Sequence, residues 1–90
     1  MNGIKPDQGT TGQIALGTNA LQIVNGRKGR SGVKITNLSN VDVYLGYNGS
    51  VTNQSGDLLI GTKGAWIYIE TESPIWGVGV GASVSWMELI

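Results

Sequence analysis

Few groups in this chain could move a proton or hold a metal. Its 90 residues include no His and no Cys. That removes the most frequent general base and metal ligand, and with them the thiolate nucleophile. Glu70 and Glu72 lie two apart and could share one face of an extended strand. Paired carboxylates serve glycoside hydrolysis at separations of about 5–9.5 Å. These two, however, stand just before Ser73-Pro74, where a strand must end and solvated charges are expected. Asp42 and Asp57 are isolated, and no D-x-D-x-D-G calcium loop is present. Lys63 follows Gly61-Thr62, which leaves a Ser/Thr–Lys dyad as the one nucleophile–base pair still open. Gly77-Val-Gly79-Val-Gly81-Ala82 spells G-x-G-x-x-A. The dinucleotide fingerprint needs a helix after that string, and residues 83–89 alternate like a strand instead. The expectation is a protein with no catalytic residues and no cofactor.

Two other groupings are candidates for binding. Arg27, Lys28, Arg30 and Lys34 hold four of the six positive charges within eight residues. They read as a basic tip for an acidic protein partner, or as the solvated loop of a hairpin opening at Asn25-Gly26. Nucleic acid is the weaker alternative, because stacking needs interleaved aromatics and none lies between Val24 and Val43.

The aromatic residues form the second grouping. Trp66, Trp76 and Trp86 fall in the last third of the chain, with Tyr68 beside the first. In residues 65–70, Ala65, Ile67 and Ile69 take one face while Trp66 and Tyr68 take the other. Tyr44 opposes Val43 and Leu45 in the same way. A strand apolar on both faces is covered on both. Each ring buries roughly 150–250 Å², worth about 4–6 kcal/mol at most. Tyr44, Trp66, Tyr68, Trp76 and Trp86 are therefore expected at a subunit interface. The alternatives are a single Trp-rich core, or exposed Trp and Tyr serving as platforms for a host-surface glycan.

Positioning these residues falls to short strands. Apolar runs at 14–16, 20–24, 33–38, 41–45, 58–60, 65–70, 75–80 and 83–89 alternate with Gly, Asn and Ser turns. That pattern predicts an all-β fold: an antiparallel β-sandwich or jelly-roll-like small barrel of about seven or eight short strands. The 15 glycines disfavour long helices. Asn48-Gly49 suits either a type I′ turn or a loop entry, since the run after it is polar. Gly81-Ala82 suggests a type II′ hairpin that would lay Trp86 over Gly77. Residues 1–12 read as a flexible N-terminal arm, and residues 13–90 as a single β-sandwich domain.

Length and composition agree with assembly. A chain of this size buries only about 60% of its extended surface and gains from association. Charged residues are 13% and the net charge is zero, so the surface resists association weakly. A globally basic nucleic-acid binder is excluded. No apolar run is long enough to span a membrane, and no signal peptide is visible at the N-terminus, so synthesis and folding in the cytoplasm are expected.

Four stretches carry a resemblance. They are Arg27-Lys28-Gly-Arg30-Ser-Gly-Val33-Lys-Ile35-Thr-Asn37-Leu, Asp42-Val-Tyr44-Leu-Gly46, Ser50-Val-Thr52 with Gly56-Asp-Leu-Leu-Ile60, and Gly81-Ala-Ser-Val84-Ser-Trp86-Met-Glu88-Leu. Over about three quarters of its length the chain resembles small β-rich virion accessory proteins of tailed bacteriophages, of the head-decoration or head-fibre type. The Trp content departs from that pattern. The resemblance implies a symmetric homo-oligomer, with a trimer favoured, attached to the phage major capsid protein on the virion surface after assembly in the host cytoplasm. Attachment to the shell is expected through residues 1–12 or through Arg27, Lys28 and Arg30.

Overall fold

A computed structural model describes residues 11–90. It is all-β. The strands are β1 (Thr11–Ala15), β2 (Leu21–Val24), β3 (Gly32–Asn37), β4 (Val43–Gly46), β5 (Asp57–Leu59), β6 (Trp66–Ile69), β7 (Ile75–Val78) and β8 (Ser83–Leu89). They build two four-stranded antiparallel sheets, in the orders β1-β8-β3-β6 and β2-β7-β4-β5. Strand pairs therefore join first to last, second to seventh, third to sixth and fourth to fifth. This is the pairing of one long hairpin rolled over on itself, the jelly-roll arrangement.

The core follows from alternation. Val33 and Ile35 on β3, Val43 and Leu45 on β4, Ile75 on β7 and Val84 on β8 point between the sheets and are buried. Ile67 and Ile69 pack against them from β6 while Trp66 and Tyr68 face outward, as the alternation in 65–70 requires. Gly77 also faces inward. A Cβ there would lie 2.8 Å from Ile23 Cδ1, so the missing side chain lets β2 close on β7.

One turn differs from expectation, and a second takes one of its two expected forms. β7 and β8 lie in different sheets and form no hairpin. The Ala82 N–H donates to the Gly79 carbonyl, and Gly81 has φ of 78°. Positive φ at the third position of such a turn belongs to type II, whose twist splays the flanking strands, where type II′ would pair them. The turn thus carries the chain across to the other sheet, and Trp86 does not cover Gly77. At Asn48-Gly49 neither residue has positive φ. The Asn48 side chain accepts from the Ser50 N–H at 2.9 Å, so the dipeptide opens a loop.

That loop, residues 47–56, folds back on the outer face of the second sheet. Val51 is buried over Gly46, and Gly49 lies against the Trp76 ring. It acts as a strap that covers a Trp from within the chain. Of the arm expected over residues 1–12, residues 1–10 lie outside the described residues. Thr11 and Gly12 belong to β1, paired with Met87 and Trp86.

Candidate interaction surface and the clamps that hold it

Each end of the roll is closed around buried polar side chains, the Arg30–Glu88 pair at one and Asn37 at the other. At one end the β2–β3 and β6–β7 connections meet around Arg30. Its side chain is fully buried, and Nη1 lies 3.0 Å from Oε2 of the buried Glu88. The same guanidinium donates to the carbonyls of Thr71, Asn25 and Ser73. Arg27, partly exposed, reaches the other carboxylate oxygen of Glu88 at 3.2 Å. A buried charge is tolerated only when paired and hydrogen-bonded, and the planar guanidinium supplies its donors in a fixed fork.

The other end gathers the β1–β2, β3–β4, β5–β6 and β7–β8 connections. There Asn37 is wholly buried. Its amide donates to the carbonyls of Val41 and Ile60 at 2.8 and 3.0 Å, and its oxygen accepts from the N–H and hydroxyl of Ser39. Asp42 Oδ1 accepts the Gly61 N–H at 2.7 Å and ties the same two loops together.

The basic cluster expected from sequence is thus divided by the fold. Arg30 is internal, and its charge is neutralised in the clamp rather than offered to a partner. Arg27 is half committed to Glu88. Lys28 is exposed, and Lys34 extends over the outer face of its sheet. The loop at 25–31 is a crossover between sheets, not a hairpin. Glu72 Oε2 accepts the Gly29 N–H at 2.7 Å, while Glu70 and Lys63 are exposed.

The aromatic group is divided too. Trp86 points into the sandwich and packs against the core from its rim. Trp76 is half-buried beneath the strap, and Tyr44 lies half-buried on the same outer face. Trp66 and Tyr68 remain outside, 60% and 38% exposed. Both are braced. Tyr68 lies over the bare backbone of Gly32, where a Cβ would meet its ring at 2.5 Å. The Lys34 ammonium sits 5.0 Å from the Trp66 ring centre, a cation–π contact.

Among the described residues, no strand pairs with the edge that these rings border. β6 ends one sheet and β5 ends the other, on the same side of the sandwich. Leu58 and Ile60, 50% and 57% exposed, line a shallow groove there together with Trp66. Natural proteins blunt sheet edges with charge, proline or bulges. Trp66-Ile-Tyr68-Ile69 has none of these. Sequence points to Trp66 and Tyr68 but not to Leu58 and Ile60. Their place beside Trp66 depends on β5 and β6 ending the two sheets at one edge.

Comparison with family models, with curated proteins and with solved structures finds no match to this chain.

Proposed function

We propose that this protein is a non-enzymatic structural module that self-associates along its β5–β6 edge. We place it among phage virion accessory proteins, attached to a capsid surface as a decoration or head-fibre-type protein. The observation that carries the reading is the exposed apolar set of Leu58, Ile60 and Trp66 along the β5–β6 edge, with Tyr68 outward on a β6 strand that has no charge, proline or bulge. Tyr and Trp are the side chains most enriched at interface hot spots. The jelly roll recurs in viral capsid and lectin domains, a support by fold analogy alone. The virion setting rests on the resemblance in sequence. A protein that binds the assembled shell and not its free subunits would stabilise that shell by mass action.

The chain holds no cysteine, so a single Tyr68→Cys substitution gives a clean reporter. Maleimide labelling at residue 68 slows as protein concentration rises if the edge is covered by a second copy. Co-sedimentation with purified tailed-phage heads tests the setting. Retention on heads supports it, and failure to sediment with any head refutes attachment while leaving self-association standing.

A further inference from the structure

We propose that a groove at the four-loop end of the roll binds a neutral saccharide. It lies between the strap and the β3–β4 and β7–β8 connections, has a volume of about 590 Å³, and shares no lining residue with the Leu58–Trp66 groove. Ligand sites are typically about 300–1,000 Å³.

Its chemistry selects the ligand. One wall is apolar, made by Val41, Val80 and Tyr44, with both valines exposed. The rim is polar, made by Asp42, Asn53 and Thr18. Among the described residues no Lys or Arg lines the groove, which disfavours phosphate, sulfate and carboxylate ligands. Asp42 is its single carboxylate, and no group of three acidic residues converges anywhere among the described residues, so a metal is not the ligand. A pyranose has the matching anatomy, with a C–H face for the valines and the tyrosine ring, and hydroxyls around its edge for the rim.

Asp42 is fixed, and all three polar side chains have hydrogen-bonding capacity to offer. Asp42 is held through Oδ1 by the Gly61 N–H, which leaves Oδ2 to accept from a hydroxyl. The loop that carries it is locked by Asn37. The side chains of Asn53 and Thr18 make no hydrogen bond among the described residues, so bound water is what a sugar would displace. Binding groups placed on loops over a rigid sandwich are the usual division of labour.

The test is amide chemical-shift mapping of the labelled full chain with galactose, glucose, mannose, rhamnose and N-acetylglucosamine in turn. At least one sugar should give saturable shifts confined to residues 41–44, 52–53 and 78–80, with Kd on the order of 1 mM. Asn53→Ala should weaken it about 5–10-fold without altering the fold. Trp66→Glu should leave it unchanged, which separates this site from the self-association edge. Overturning results are no shift in the groove with any sugar, equal affinity for the Asn53→Ala protein, or shifts centred on Trp66 and Tyr68. Groove shifts produced only by a protein partner would also overturn it.

Discussion

The indole of Trp86 lies directly on Gly12, its partner across the β1–β8 pair, so closely that a Cβ at residue 12 would stand 2.8 Å from Cζ2. An aromatic ring shields a strand glycine here, at the first strand of the fold and not at Gly77. The packing of ring on backbone fixes where β1 sits. Gly12→Ala forces the ring or the strand to move and should cost roughly 1–3 kcal/mol, as overpacking does. Denaturant unfolding with the companion Trp86→Leu variant checks it. Gly12→Ala should be nearly harmless in the Trp86→Leu background, and equal costs in both backgrounds would place the indole elsewhere.

Arg30 and Lys28 are two residues apart and energetically unlike. Arg30→Met removes the buried one of the two arginines on Glu88 and frees three carbonyls, so it should cost about 3–5 kcal/mol. Lys28→Ala should stay within about 0.5 kcal/mol, because its side chain is exposed. Thermal unfolding of the two variants decides it, and similar melting temperatures would contradict the clamp.

The strap should report on Trp76. Val51→Ala removes two methyl-sized groups from a buried site, a loss of roughly 1–2 kcal/mol. It should also loosen the strap over Gly46, red-shifting the emission in a Trp66→Phe/Trp86→Phe background, where Trp76 is the one indole left. An unchanged spectrum would mean that the indole is covered by something other than residues 47–56.

Local alternation makes most of this fold readable. Val33, Lys34 and Ile35 announce their faces by type alone, and so do Ile67 and Tyr68. Pairing across sequence does not announce itself. Gly81-Ala82 suits a hairpin locally, yet β7 finds its neighbours in β2 and β4. Arg30 looks like part of a basic tip because its partner Glu88 lies 58 residues away. A signal is present nonetheless: Val84, Trp86 and Glu88 share one phase of β8, and a carboxylate on an apolar face requires a buried cation. Val51 is hidden by the polar residues around it, so the strap resembles an ordinary loop and Trp76 a ring in need of a subunit.

Trp66 is the residue on which self-association turns. Being exposed, it should tolerate Trp66→Glu with a stability change of about 0.5 kcal/mol or less, which denaturant unfolding of the dilute protein checks. The same charge placed at the centre of a buried apolar contact is strongly unfavourable.

Sedimentation velocity of the wild-type and Trp66→Glu proteins over a concentration series is the most direct test. Wild type should sediment as an assembly that dissociates on dilution, and Trp66→Glu as a folded monomer throughout. A wild-type protein that is monomeric at every concentration, or a Trp66→Glu protein that assembles as well as wild type, would contradict the β5–β6 edge as the site of self-association.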